Sequence, residues 1–503
     1  MKPVIVVGSG FGGLASAVRL RAMGWPVLVL EANAEAGGRA AVFRQDGFQF
    51  DAGPTVITAP HLFDELFTLL GRDPRDYYEL MPVDPFYRVS FPDGSKFDYV
   101  GDEDRIIEQI RQFSPDDVDG YKRMAAKSKE IFDVGYTRLA DKPFDNLSDM
   151  LRIVPEMMRL RSDQSVYTMV SNYIKDERLR QVFTFQPLLV GGNPFNTPSI
   201  YLLIHWLERK WGVFFPKGGT GALVRSLVKV LDEVGVQVRC NTPVAKILVE
   251  NGKAVGVETE SGERIDASAV VCNADPSMVY TKLVDAKHRW TNTDRSIARK
   301  TPSMSLFVGY FGTKGHYDDV AHHTIVLGPR YKGLLDDIFR KKVLADDFSL
   351  YLHRPTASDP SLAPAGHDGF YVLSPVPNQR SGIDWEANAE PYFDRILDSL
   401  EQRGMPGVKS RIVTKKFVDP RYFQEQLRSV DGAAFGLEPN LLQSAWFRYH
   451  NRSEDVGDLY FCGASSHPGA GLPGVLNSAR VLEKVMERPA TPIDVPARLR
   501  VAS

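Results

Sequence analysis

Short unbroken apolar runs alternate along the chain with longer stretches of helical periodicity. Val4–Val7 is four β-branched residues in a row, the pattern of a strand buried on both faces of a parallel sheet. Small and apolar residues from Leu14 to Met23 predict a helix that Gly24 stops, and Val27–Leu30 predicts a second buried strand with Glu31 at its end. The run begins at the first residue, so no targeting peptide is expected ahead of it. Phe43–Gly53 predicts a hairpin turning at Asp46-Gly47. A helix follows at His61–Leu70, then strands at Tyr87–Ser90 and Lys96–Val100.

Residues 105–215 are largely helical by pattern. Met150–Arg161 mixes Met, Leu, Ile and Val with three arginines. That composition suits a helix lying in a membrane interface, and equally an amphipathic helix packed on the core. Thr197 and Pro198 read as N-cap and first helical position, with Ile200, Leu203, Ile204, Leu207 and Trp211 on one face. Aromatic residues crowd this region, among them Phe183, Phe185, Phe195, Tyr201, Trp206, Phe214 and Phe215. The grouping is compatible with an apolar tunnel or a membrane-dipping surface.

Pro216–Gly221 opens a helix over Ala222–Val234. Val236–Val238, Val244–Val249 and Ala254–Glu258 predict strands, the last two joined at Asn251-Gly252, and Ala269–Cys272 is another buried strand. These short buried runs predict that the chain returns to its first domain after an excursion. Residues 290–450 form a second excursion, with strands near Ser305–Phe311 and Phe370–Ser374 and a helix at Ala389–Arg403. Leu459–Cys462 is a final strand, followed by a glycine-rich loop and a helix over Val475–Met486.

A chain of 503 residues exceeds one simple core, which favours two domains. The formal charge of −2 gives no support for nucleic-acid binding. Three cysteines without a C-x-x-C argue against a disulfide framework or structural zinc and suit a reducing cytosol. No apolar run reaches the length of a membrane span, so any membrane contact is peripheral. His322 and His323 are adjacent, are expected to face different ways, and make a poor metal pair; we read them as structural and expect no metal.

The chemistry begins between the first two strands. Gly8, Gly10 and Gly13 spell G-x-G-x-x-G. The first permits the tight turn, the second lets backbone approach a pyrophosphate, and the third lets helix and strand pack closely. Free N–H groups at the helix start attract the phosphates. Glu31 is placed to accept hydrogen bonds from an adenosine ribose, and its charge disfavours a 2′-phosphate. Gly37-Gly38-Arg39 suggests a loop folding back over the cofactor, with Arg39 available to a phosphate. Gly469, Gly471 and Gly474 repeat the glycine spacing, but no second strand with a terminal acid follows. We read this as a helix N-terminus aimed at the same cofactor, where N–H groups stabilise negative charge on a reduced flavin. His467 in this loop is a candidate acid–base residue or a loop-orienting one.

The strand–glycine–helix–Glu31 unit with Gly37-Gly38-Arg39 resembles the flavin-dependent amine-oxidase-like superfamily. Leu189–Phe195, Ile204–Leu223, His322–Tyr331, Asp347–His353, Gln443–His450 and Gly463–Val475 resemble, more closely, the bacterial phytoene desaturases of the carotenoid pathway. The similarity runs from about residue 2 to about 487; Asn477 stands where many relatives have glycine. The resemblance implies an α/β fold: a Rossmann-like FAD-binding domain (glutathione-reductase-like) at 1–85, 216–290 and 455–490, an inserted mixed substrate-binding domain at 86–104 and 291–454, a helical membrane-facing region at 105–215, and a tail at 491–503. It implies bound FAD, with Glu31 on the ribose, Gly8, Gly10 and Gly13 at the pyrophosphate, and Val244 meeting the adenine through its backbone. Gly38, Arg39, Thr55, Gly463 and Gly471 would complete the site near the flavin. It further implies a C40 hydrocarbon substrate, phytoene or partly desaturated carotenes. A peripheral location on the cytoplasmic side of a membrane, and oxygen or a quinone as electron acceptor, go with it. A 3,4-desaturase, a carotene isomerase or a non-catalytic carotenoid carrier stay open as alternatives.

Overall fold

Apolar runs from the start, middle and end of the chain meet in one five-stranded parallel sheet. The computed structural model, which describes residues 1–144 and 146–496, places Val4–Val7 at its centre. Val27–Leu30 and then Gln237–Arg239 lie to one side, Ala269–Cys272 and then Leu459–Phe461 to the other. Alternation along the central strand divides the core. Val4 and Val6 pack with Leu14, Leu223 and Leu476 of the helices Phe11–Ala22, Thr220–Glu233 and Leu472–Val485. Ile5 and Val7 pack instead against Val244, Ile247 and Val257 of a three-stranded antiparallel sheet, Val244–Glu250, Lys253–Thr259 and Arg264–Asp266. The β-branched run is thus wholly buried, as expected of a strand covered on both faces.

A seven-stranded mixed sheet carries the second excursion. Its order is 412–418, 305–314, 367–376, 350–353, 323–326, 87–90 and 96–99. One face packs Phe307, Phe311, Phe370 and Val372 against Trp385 and Phe393 of the helix Trp385–Gln402. The other face joins a larger core with the helical residues of 103–211. The hairpin Val42–Asp51 turns at Asp46-Gly47, both with positive φ. Its last residue, Asp51, accepts the N–H groups of Thr220 (2.7 Å) and Gly221 (3.3 Å), which ties hairpin and helix start together.

Three expectations need correction. Two helices begin one turn early, at Phe11 rather than Leu14 and at Leu472 rather than Val475. The last turn of each glycine loop is itself helical, and glycine carries no apolar periodicity to reveal it. Thr197 and Pro198 do not open an α-helix. The backbone of Thr197 and Ser199 bonds to Val166 and Gln164, a 3₁₀ turn covers Ser199–Leu202, and the α-helix runs from Leu203 to Trp211. His322 and His323 do not diverge. His322 precedes the strand His323–Val326, so strand alternation does not govern it, and the two rings meet edge to face at 4.4 Å.

The aromatic region resolves toward the interior. Phe183, Phe185 and Phe215 are buried, whereas Leu147, Leu151 and Met158 on or beside the Met150–Arg161 segment are exposed. Among the described residues no helix is long and apolar enough to cross a membrane. Of the expected tail, residues 491–496 lie along the first domain, where Ile493 donates its N–H to the Gly24 carbonyl; residues 497–503 lie outside the described residues.

Candidate active site

The loops at the carboxyl ends of the parallel strands open into a cavity of about 800 Å³ that continues between the two sheets. Gly8, Gly10, Glu31, Gly38, Arg39, Thr55, Val244, Gly463, His467 and Gly471 all line it. Gly13 does not. A Cβ there would stand 2.0 Å from the Gly8 carbonyl oxygen, so this glycine serves helix–strand packing. Gly8 takes φ +96°, a turn conformation that L side chains rarely adopt.

Glu31 is buried at the end of its strand. One carboxylate oxygen accepts the Ser9 N–H (2.9 Å) and hydroxyl (2.6 Å), and the other accepts the Asn33 N–H (2.9 Å). The sequence reading missed Ser9, which also receives the Gly37 N–H (3.1 Å) and so pins the second glycine step against the first. It missed Asn273 too, whose amide fills the space the glycines leave. A Cβ at Gly10 would meet its Nδ2 at 2.7 Å, and one at Gly12 its Oδ1 at 2.4 Å. Both residues occupy turns, where no periodicity marks them.

Two helix N-termini reach the cavity, Phe11–Ala22 and Leu472–Val485. Neither has a side-chain cap or an acidic residue in its first turn, so both leave backbone N–H groups for an anion. Arg39 also lines the cavity, but its guanidinium holds the opposite wall. Nε donates to the Ala434 carbonyl (2.7 Å) and Nη2 to the Ser429 hydroxyl (3.0 Å). The 463–474 loop is oriented by residues outside it. Arg448 donates to the carbonyls of Ala464 (2.6 Å) and Ser466 (3.2 Å), and Asn451 to that of His467 (3.0 Å). The His467 ring packs edge-on against Phe144 at 4.9 Å. Burial and the nearby Arg448 push its pKa down to about 3, which keeps it neutral.

The far part of the cavity is apolar, with Leu188, Leu203, Ile204, Leu207, Leu327 and Tyr331 in its wall. Glu208 sits in this wall, and Tyr87 donates a 2.7 Å hydrogen bond to it. Burial pushes the Glu208 pKa up to about 8, so it is mainly protonated at neutral pH. Thr55 and Tyr351, also in the wall, share a 2.6 Å hydrogen bond. The uncapped helix starts, the close-packed glycines and the buried acid at the strand end set anion-binding N–H groups beside a preset hydrogen-bond acceptor, as a dinucleotide asks.

The sequence matches the family of flavin containing amine oxidoreductases over residues 11–481. It is 49% identical to a lycopene-forming phytoene desaturase of Pseudescherichia vulneris over 97% of this chain and 99% of that one. It is 45% identical to a neurosporene-forming phytoene desaturase of Cereibacter sphaeroides over 96% of this chain and 94% of that one. Cyclohexylamine oxidase from Brevibacterium oxydans superposes with a TM-score of 0.62 at 16% identity, over 96% of this chain and 98% of that one, and shows the same fold. The chain belongs to the flavin-containing amine oxidoreductase family, and within it to the bacterial-type phytoene desaturases.

Proposed function

We propose that this protein is an FAD-dependent phytoene desaturase that dehydrogenates phytoene stepwise toward neurosporene or lycopene. The observation that carries the reading is a single cavity with two chemistries. One end is built of backbone N–H groups, glycines and Glu31, and the other of aliphatic and aromatic side chains. A polar nucleotide and a hydrocarbon can share it, each in matching surroundings.

In this reading Gly8, Gly10 and the first turn of Phe11–Ala22 hold the pyrophosphate, Glu31 the ribose and Val244 the adenine. Residues 1–85, 216–290 and 455–490 form the cofactor domain. The bound flavin supplies an acceptor for hydride from one of two adjacent saturated carbons. The protein supplies position and dryness. A hydrocarbon offers no polar handle, so the apolar wall binds by burial alone, at roughly 25 cal/mol per Å² removed from water. Residues of the helix Leu147–Arg159 line the cavity from outside, through Met150, Ile153, Val154, Met157 and Met158, while Leu151 of that helix faces solvent. This supports access for the substrate from a membrane surface; oxygen or a quinone as final acceptor is part of the proposal.

The test is phytoene in liposomes with FAD-loaded protein and no NAD(P). Coloured carotenes are expected under air or with a quinone. Failure to consume phytoene would sink the reading. Offering neurosporene or lycopene instead separates a later 3,4-desaturase, and a change of isomer without net oxidation identifies an isomerase.

A further inference from the structure

Desaturation removes two hydrogens from adjacent carbons. One leaves as hydride with the C–H electron pair; the other leaves as a proton while its electron pair becomes the second bond of the new double bond. A bound flavin would supply the acceptor for the hydride. The proton is set free in an apolar cavity, where an isolated charge is strongly disfavoured. It needs a route out.

The seven-stranded sheet holds one. Thr55 Oγ1 in the cavity wall shares a 2.6 Å hydrogen bond with the Tyr351 hydroxyl. That hydroxyl bonds the Nδ1 of His323 at 2.7 Å. His323 pairs across the strands with His353, and their rings stack at 5.2 Å. His353 meets His322 at 4.8 Å between ring centroids. The Nδ1 of His322 then bonds the Ser358 hydroxyl at 2.7 Å, and Ser358 is only half-buried. All three histidines are buried. The Nε2 atoms of His322 and His323 and both ring nitrogens of His353 have no hydrogen-bond partner within the protein. One candidate nitrogen from each ring lies within 4.8 Å of the others, a gap that one bridging water spans.

We propose that Thr55, Tyr351, His323, His353, His322 and Ser358 form a proton exit path from the substrate cavity to the protein surface. The inference rests on the desaturase reading. Each member can accept one proton and release another, a hydroxyl at its single oxygen and a neutral imidazole at its two nitrogens. The source is a strong acid. Loss of hydride leaves a cation-like carbon whose neighbouring C–H gives its proton to a weak base, so an uncharged chain suffices. Burial keeps the imidazoles neutral at rest, with Arg354 beside His322 adding to the effect. Phe215, Tyr87 and Tyr371 enclose the cluster with aromatic rings; the carboxyl behind Tyr87, Glu208, is kept mainly protonated by burial, and Asp368 is paired with Arg354.

A metal centre would use the same nitrogens but fits less well. Imidazole lone pairs lie in the ring plane, and the stacked rings of His323 and His353 are inclined by only 20°. The candidate nitrogens of the three rings spread over 4.8 Å, wider than the roughly 4.2 Å that two metal–nitrogen bonds of about 2.1 Å reach across.

The experiment mixes FAD-loaded enzyme with phytoene liposomes without oxygen in weakly buffered medium. It follows flavin bleaching and a pH-indicator dye together. In the wild type, acidification is expected in step with bleaching. Tyr351→Phe removes only the hydroxyl link, and His353→Gln interrupts the centre. Each should slow both signals by about 10- to 100-fold, up to the lower limit of what a direct acid–base group contributes. FAD content and the thermal midpoint should stay near wild type, which a merely structural role would not predict. Tyr392→Phe, which removes a buried hydroxyl bonded to Ser374 elsewhere, should leave both signals unchanged. Wild-type rates of bleaching and acidification in folded Tyr351→Phe and His353→Gln overturn the path. So does a stoichiometric transition metal in the purified protein. No phytoene consumption by the wild type overturns the desaturase reading instead.

Discussion

Ser9 gives both its backbone N–H (2.9 Å) and its hydroxyl (2.6 Å) to one carboxylate oxygen of Glu31. With Asn33 on the other oxygen (2.9 Å), the carboxylate is held by three donors and still lines the cavity. A carboxylate oriented this way is a preset acceptor for ribose hydroxyls. Glu31→Ala is therefore expected to lower the flavin retained on purification well below that of Glu208→Ala, which alters the apolar wall. The ratio of flavin to protein absorbance measures it. Equal flavin content in the two variants would remove Glu31 from the cofactor site.

The second and third glycines of the fingerprint predict different losses. At Gly13 an added methyl would lie 2.0 Å from a backbone oxygen, where nothing flexible can yield. At Gly10 it meets the Asn273 side-chain amide at 2.7 Å, which can turn aside. Gly13→Ala should thus destabilise the fold, by about 1–3 kcal/mol on the scale of overpacked cores. Gly10→Ala should keep its apo-protein melting point and lose flavin. Equal melting points for the two apo variants would overturn this assignment.

How far the sequence reaches is visible in these same residues. The parallel sheet was legible because its strands are buried on both faces, which leaves unbroken apolar runs such as Val4–Val7 and Ala269–Cys272. Glu31 and the glycines were legible because backbone turns and strand ends constrain residue type. Asn273, Arg448 and Asn451 were not. Arg448 and Asn451 act by side-chain bonds to a loop distant in the chain and Asn273 by filling space beside Gly10 and Gly12, and such pairings leave no local pattern. The convergence of the histidines was missed for a related reason. Its third member, His353, arrives from a neighbouring strand 30 residues away (353 less 323) and is set opposite His323 only by sheet register.

Glu208 predicts a pH dependence with a definite sign. Its pKa rises from 4.5 to about 8 on folding. Below pH 4.5 both states are protonated, and the native state enjoys its full stability from this group. Between about 4.5 and 8 the unfolded chain loses the proton that the native chain keeps, so stability falls as pH rises, by a few kcal/mol in total. Glu208→Gln removes the titration. Its melting point relative to wild type should rise steadily from pH 5 to pH 8. A difference that stays flat over that range would show that Glu208 is ionised in the native protein.

The outer helix Leu147–Arg159 separates two accounts of membrane contact. Its arginines look like anionic-lipid anchors in the sequence, yet Arg152 pairs with Asp149 and Arg159 with Glu130, and Arg161 just beyond its end pairs with Asp163. Much of their charge is answered within the protein. Leu151 and Met158 are 62% and 68% exposed, although Met158 also borders the cavity. Burying such a side chain in the acyl boundary contributes about 1.5–3 kcal/mol, or roughly tenfold or more in partitioning. Leu151→Glu with Met158→Glu should therefore reduce sedimentation with liposomes more than reversal of all three arginines, and the excess should persist with neutral lipids. Salt separates the cases further, since screening weakens the charge-dependent part alone. If the double apolar variant sediments like wild type, this helix is not the docking face.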